Sequence, residues 1–259
     1  MSVPIGIDTA DLTASHAAGR GENASAKPVF ENLMLRVEGG RIAVIVGPSG
    51  AGKTTLLNCV AGLHPVDNRN VALALYSARG AIEHGRDKSL SAVDRRRIGV
   101  AFQQSNLWSH LSVRENLVHP QMKLGGRSRS AATEWASHLL AQLALSDHAG
   151  KPASSLSGGQ KQRVALARAL CLNPDVVLFD EITASQDPEN VQRIFDLIRG
   201  YIADSGATAL TVSHDMSFVR RIAESVAFLS NGVIRMKATP DIFFNDCDDL
   251  VVQRFLQAF

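Results

Sequence analysis

One stretch constrains this chain more than any other: Gly47-Pro48-Ser49-Gly50-Ala51-Gly52-Lys53-Thr54-Thr55. Gly47 to Thr54 fits G-x-x-x-x-G-K-[ST], the spacing of a phosphate-binding loop. Residues 41–46 before it, with the run Ile42-Ala43-Val44-Ile45-Val46, read as a strand buried on both faces. Residues 54–61 after it hold no breaker and predict a helix. The glycines let backbone N–H groups turn inward as a nest for phosphate oxygens. The helix N-terminus adds a favourable dipole. Lys53 is expected to reach the β- and γ-phosphates of a nucleoside triphosphate, and the Thr54 hydroxyl to ligate Mg²⁺.

At 259 residues the chain is long enough for one large domain with a subdomain. An apolar share of 45% and a charged share of 20% are those of an ordinary globular protein. A net charge of +2 gives no general drive toward nucleic acid or anionic membrane. No apolar run reaches the length of a membrane span. Residues 1–10 lack a basic segment and a long apolar core, so no signal peptide is expected. Cys59, Cys171 and Cys247 form no C-x-x-C pair and are expected to be reduced thiols, two of them packed in helices. The eight histidines do not cluster at metal-ligand spacing.

Residues 3–13 and 29–37 predict two strands, a small antiparallel unit ahead of the phosphate loop. Between His64 and Asp94 the pattern is poor. Residues 71–76 suit a strand, and the rest reads as a surface insertion. Arg95-Arg96-Arg97 reads as a solvated charged face, and residues 98–102 as another buried strand. Residues 112–145 are helical in character, with Pro120 and Gly125-Gly126 marking a break. Trp135, Leu139, Leu140 and Leu143 share one helical face and are expected in the core. Residues 175–180 form a strand ending in Asp180. Asp187-Pro188 then opens a helix, with Asp as N-cap and Pro in the first turn, which Gly206 ends. Residues 208–212 predict a strand, and residues 225–229 and 233–237 flank Asn231-Gly232 as a hairpin. Strands alternating with helices on apolar runs mean a parallel sheet covered on both faces.

Phosphate loops serve many nucleotidases, so a second motif has to decide. Leu156-Ser157-Gly158-Gly159-Gln160 precedes an uninterrupted helical pattern to Leu172 and exposes a helix N-terminus suited to a second anion. Here the chain resembles the nucleotide-binding subunit of ABC transporters, over nearly all its length. The resemblance makes Leu156 to Gln160 the LSGGQ signature, Gly47 to Thr54 the Walker A loop and Val176 to Asp180 the Walker B strand. It makes Gln103 the Q-loop glutamine and His214 the switch histidine. The implied fold is α/β: a P-loop (RecA-like) parallel core, an N-terminal antiparallel β subdomain and an inserted helical subdomain. A single domain over 1–259 is expected, with the β subdomain and first part of the core in 1–104, the helical subdomain in 105–155 and the rest of the core in 156–259. Asp180 is expected to hold the Mg²⁺ shell, Glu181 to orient and polarise the attacking water, Gln103 to contact Mg²⁺ or that water, and His214 to hydrogen-bond the γ-phosphate. The resemblance also implies that Ser157 and Gly159, with the rest of the signature, complete the ATP site of a second subunit. The working unit is then a dimer, expected to be a homodimer, with ATP between chains.

The chain departs from the family after Glu181, where Ile182 replaces a proline and Gln186 replaces a leucine. His16 stands where the family stacks an aromatic on adenine; an exposed loop histidine is the alternative. Residues 105–117, including Leu107, Trp108 and Leu111, resemble the surface that receives a permease coupling helix, and the same residues equally suit a subdomain core. Residues 213–223 and 239–256 resemble bacterial importers of polar amino acids. No appended regulatory domain is expected. The expectation is the ATP-hydrolysing subunit of an importer, coupling ATP binding and hydrolysis to uptake of a small polar solute, an amino acid, and peripheral on the cytoplasmic face of the bacterial cell membrane. It would act with integral permease subunits and, indirectly, an extracytoplasmic solute-binding protein. The alternative is the ATPase of an exporter, lipoprotein-release or cell-division complex. A DNA-repair or translation ATPase is disfavoured, since no coiled coil, second cassette or basic stripe is visible and no nucleic-acid partner is expected.

Overall fold

The computed structural model describes residues 6–15, 28–66, 73–77, 80–84, 89–184 and 186–258. In chain order these form β1 (Ile7–Ser15), β2 (Pro28–Val37), β3 (Ile42–Val46), α1 (Lys53–Val60), β4 (Leu73–Ser77), β5 (Gly80–His84), α2 (Ala92–Arg95) and β6 (Ile98–Ala101). Then follow α3 (Val113–Lys123), α4 (Arg129–Gln142), α5 (Gly158–Leu170), β7 (Val176–Asp180), α6 (Pro188–Ser205) and β8 (Thr208–Val212). The chain closes with α7 (Met216–Ile222), β9 (Ser225–Ser230), β10 (Val233–Ala238), α8 (Pro240–Asn245) and α9 (Leu250–Leu256).

Two sheets carry the fold. The larger has the order β10-β9-β3-β8-β7-β6, parallel except for β10, which returns antiparallel on β9. The smaller is antiparallel, in the order β2-β1-β4-β5. The period of two along each strand divides the apolar residues between two cores. Ile42, Val44, Val46, Val177, Phe179, Val226 and Phe228 face a core shared with α3, α4, α5, α6 and α7. Ala43, Ile45, Val176, Leu178, Ala227 and Leu229 face a second core shared with α1 and the antiparallel sheet. Both faces are therefore dry, which is why the strand sequences read as unbroken apolar runs.

Local signals set the helix ends. Ser112 caps α3 in a capping box with Glu115, Ser157 caps α5 in another with Gln160, and Asp187 caps α6 ahead of Pro188. Gly206 ends α6 at φ 68°. The α5 helix ends at Leu170 with Cys171 as its C-cap, slightly short of the expected Leu172. Gly99 on β6 is needed where α5 crosses, because a Cβ there would lie 2.3 Å from the Ala169 carbonyl oxygen. The three cysteines are buried and none forms a disulfide. Burial pushes the Cys171 thiol up to about 12, so it stays protonated and inert.

Three sequence expectations are corrected. Pro120 does not break the helix; it lies inside α3, and the turn comes at Gly125-Gly126, where Gly126 takes φ 66°. Val113, Leu117, Val118 and Pro120 are all buried, and that packing offsets the hydrogen bond a proline forfeits. Asn116, also fully buried, binds the Trp108 N–H and the Trp108 and Ser112 carbonyls and fixes the helix start. Second, the strand expected at 71–76 is present as β4, but residues 80–84, read as surface insertion, form β5, which pairs with it and joins the antiparallel sheet, with Leu75 and Ile82 in the core.

Third, Arg97 is not part of a solvated face. Its guanidinium lies 2.7 Å from Asp175, with side-chain exposures of 11% and 8%, and donates to the Gly80 carbonyl at 2.8 Å. The Arg97 carbonyl in turn accepts from the N–H groups of Asp175 and Val176, so β6, β7 and the β4–β5 hairpin meet at one residue. Arg97→Ala leaves Asp175 without that guanidinium and is expected to cost roughly 3 kcal/mol. A lower urea midpoint at unchanged m would show it; an unmoved midpoint would remove Arg97 from this role.

Candidate active site

The phosphate loop leaves the carboxyl end of β3, the central strand between β9 and β8. Gly47 has φ 149°, and a Cβ there would lie 2.0 Å from the Leu229 carbonyl oxygen on β9. Gly50 and Gly52 have φ 77° and 96°, where a side chain is strained. Gly52 is the N-cap of α1, and no side chain caps that helix, so its first N–H groups are offered to a ligand. Pro48, Ser49 and Ala51 complete the turn, with the Ala51 N–H donating to the Pro48 carbonyl. Lys53 is buried and its Nζ donates to the Gly47 and Pro48 carbonyls at 2.9 and 2.8 Å. Thr54 and Thr55 follow in the first turn.

Two acidic residues meet this loop from β7. Asp180 pairs with Val212 on β8, and its carboxylate crosses to accept from the Thr54 hydroxyl at 3.1 Å. A hydroxyl beside a carboxylate is a hard oxygen donor set of the kind Mg²⁺ takes. Glu181 turns out of the strand at φ 51°, in the left-handed region, with its N–H on the Val212 carbonyl. Gln103, just after β6, donates from Nε2 to one Glu181 oxygen at 3.0 Å. His214, just after β8, places Nε2 3.1 Å from the other. Thr54, Gln103, the Asp180–Glu181 pair and His214, far apart in the chain, are thus brought to one end of the parallel sheet, where such folds bind ligands.

The signature residues lie at the start of α5, where Gly158, Lys161 and Gln162 line one cleft with Gln103. The Ser157 hydroxyl accepts the Gln160 N–H, and Gln160 Oε1 accepts the Ser157 N–H. Gln160 Nε2 is 3.0 Å from His148 Nε2, so this glutamine is spent on holding the turn. A Cβ on Gly158 would meet nothing within 4 Å, which leaves that side of the turn open. Gln186 binds the same helix start, through Gly159, Gln162 and Arg163. Gln162 and Arg163 were read from sequence as the continuation of the signature stretch, without a role; their contacts with Gln186 have no local signal on a helix that also carries Gln160, Lys161 and Arg168. His16 falls outside the described residues. Of the proposed contact surface, Leu107 packs against the core, whereas Trp108 is exposed, with Arg168 5.4 Å from its ring centroid.

The ABC transporter family model matches residues 30–184. The chain belongs to that family. It is similar to the glutamate/aspartate import ATP-binding protein GltL of Escherichia coli (strain K12), 39% identical over 218 residues, or 84% of this chain and 88% of that one. It is 36% identical over 215 residues to the glutamate transport ATP-binding protein GluA of Corynebacterium efficiens, covering 83% and 86%. Among solved structures, the dimeric ATP-binding cassette MJ0796 bound to ADP and Pi superposes with a TM-score of 0.77 at 28% identity, covering 90% of this chain and 98% of that one. This ABC cassette therefore binds ATP and is an ATP hydrolase. Among the described residues no helix is long and apolar enough to cross a membrane.

The site's charges are partly desolvated. Burial lowers the Lys53 ammonium from its ordinary value, against the pull of Glu181 and Asp180. Burial raises the Asp180 carboxyl, offset in part by the Thr54 hydroxyl. A carboxyl raised on folding favours the folded chain below its unfolded value, near 3.8, and that contribution is lost as pH rises through the raised value. At neutral pH the ionised Asp180 is then a net cost in the cassette alone. Asp180→Asn removes that cost and is expected to raise the unfolding temperature at pH 7, without nucleotide or Mg²⁺, by roughly 2 °C. A lower unfolding temperature would refute it.

Proposed function

We propose that this cassette is the ATPase subunit of an importer, coupling ATP binding and hydrolysis to uptake of a small polar solute, an amino acid. The observation that carries the hydrolytic reading is Glu181, held at φ 51° between Gln103 and His214 and next to the Thr54–Asp180 pair. The solute class rests on the two relatives above, whose names give glutamate or aspartate.

In this reading the glycine loop and the uncapped first turn of α1 bind the phosphates, and Lys53 exchanges its two carbonyls for β- and γ-oxygens. Thr54 and Asp180 would hold Mg²⁺, with Gln103 close to its shell. When bound, the ion neutralises charge on the transferring phosphoryl group. Glu181 accepts a hydrogen bond from the attacking water and takes its proton. His214 turns from Glu181 to the γ-phosphate. The Ser157–Gly159 turn of a second subunit closes over the ATP, so the chain works as a dimer, and Gln103 and the exposed Trp108 face carry the movement to membrane permease subunits. A solute-binding protein outside the membrane delivers the amino acid, and the cassette sits peripherally on the inner face.

Glu181→Gln keeps the hydrogen-bonding shape but cannot take a proton. It is expected to cut kcat by about a thousandfold while leaving an ATP-dependent dimer on size exclusion. Hydrolysis at the parent rate would take the proton-accepting role away from Glu181. Lys53→Ala is expected to weaken ATP binding at least about tenfold by calorimetry, and unchanged affinity would remove Lys53 from the phosphate site.

A further inference from the structure

A groove between α4 and α6 takes no part in the nucleotide site. It encloses about 340 Å³, within the range of small-molecule sites. It reaches Pro174 and Asp175 at the amino end of β7, whereas Asp180 closes the opposite end of that strand. Leu139 of α4 and Leu197 and Tyr201 of α6 are buried and give the groove an apolar floor. The Tyr201 hydroxyl donates to the Pro174 carbonyl at 2.8 Å, which fixes that floor to the strand. The α4 wall is Trp135 stacked on His138, with ring centroids 5.2 Å apart.

Gly200 opens this groove. It lies in the interior of α6 without a positive φ, and a Cβ there would meet nothing within 4 Å. Neither backbone strain nor a close approach calls for glycine, which weakens a helix interior relative to any ordinary side chain. What its absent side chain leaves is space. Asp196 and Asp204 stand four residues to either side, on the same side of the helix, and both are exposed at the groove. Their backbones are about 12 Å apart along the axis. Asp196 Oδ1 accepts from Gln192, Asp175 is already held by Arg97, and Arg199 lies 5.0 Å from the Phe195 ring centroid. Among the described residues, no lysine or arginine lines the groove. Two carboxylates thus flank an apolar floor with no cation of the protein's own between them.

We propose that this groove binds a linear polyamine, with its end ammonium groups at Asp196 and Asp204 and its methylene chain over Gly200, Leu197 and Leu139. Each end gains a charge-assisted hydrogen bond, and the chain between them covers apolar surface. A metal ion would leave the floor unused, and a short amine would reach one carboxylate alone. Binding ties α4 to α6 and stabilises the folded chain by mass action. It needs neither a nucleotide nor a second subunit.

The test titrates spermidine into the full chain by calorimetry, without nucleotide, in about 0.1 M salt to suppress diffuse attraction. One-to-one binding with a Kd below about 1 mM is expected, and putrescine, too short to span both carboxylates, is expected to bind at least about fivefold more weakly. Two variants locate the site. Gly200→Leu fills the groove and leaves both carboxylates in place; it is expected to raise the unfolding temperature and to weaken spermidine binding at least about tenfold. Asp196→Asn combined with Asp204→Asn keeps the shape and removes the charge, and is expected to weaken binding by a similar factor. The double variant serves if Gly200→Leu does not fold. No measurable binding of spermidine overturns the proposal, as does binding of parental strength in either folded variant. Loss in the double variant alone, with Gly200→Leu at parental affinity, would make the contact a surface ion pair and overturn the groove.

Discussion

The fold depends on one close backbone approach, where Gly47 passes the Leu229 carbonyl at the end of β9. No residue with a Cβ fits there, since that atom would lie 2.0 Å from a carbonyl oxygen. The approach lets β3 sit between β8 and β9 and still turn its chain directly into α1. A second contact braces it from below: a Cβ on Gly52 would lie 2.7 Å from Val29 on β2. A third places Gly232, in the β9–β10 turn, where a Cβ would lie 2.7 Å from the Val29 carbonyl oxygen. The antiparallel sheet is thereby pressed against both the phosphate loop and the hairpin edge of the parallel sheet. The apolar core shared by the two sheets supplies the drive, and the glycines set how near they come.

The same economy of space explains Glu181. A strand would alternate its side chains across the sheet, and the residue after Asp180 would then point away from the phosphate loop. The left-handed turn at φ 51° breaks that alternation and brings both acids to one end of the sheet. Such a conformation is costly for a residue with a long side chain and persists only where neighbours over-determine it. Here the neighbours are the Val212 carbonyl, the buried Ile182, and the two side chains that hold the carboxylate.

Much of this was legible in residue order. The buried strands β3, β6, β7, β8 and β9 announced themselves as apolar runs, and the glycine loop, signature turn and Asp187-Pro188 cap each name a local geometry. What escaped was set by residues far apart. Arg97 looks like any member of a charged triplet until Asp175, 78 positions away, closes on it. Pro120 looks like a stop until the burial of its own face against α4 and α5 is known. Of the β4–β5 hairpin only the first strand was legible, because Gly80–His84 carries one large apolar residue, Ile82, too little to show an alternation. Gln186 was visible as a departure, but its meaning lay in three partners on α5 that only the fold brings near.

The site is internally satisfied, and that bears on how it takes a nucleotide. Lys53 is held by two carbonyls, Asp180 by Thr54, and Glu181 by Gln103 and His214. None of these bonds need be lost without replacement. A phosphate oxygen is a stronger acceptor for a buried ammonium than a carbonyl, because the bond is charge-assisted on both sides. A divalent cation likewise reverses the cost of ionising Asp180, which burial has raised. Exchange is therefore favoured at the phosphate and metal positions first. In the proposed mechanism Glu181 is freed after, when His214 turns from it to a γ-phosphate already in place. On the proposed roles, relative bond strengths set the order: binding at Lys53 and Asp180 would precede arming of the carboxylate, and a diphosphate would satisfy the first pair without releasing the second.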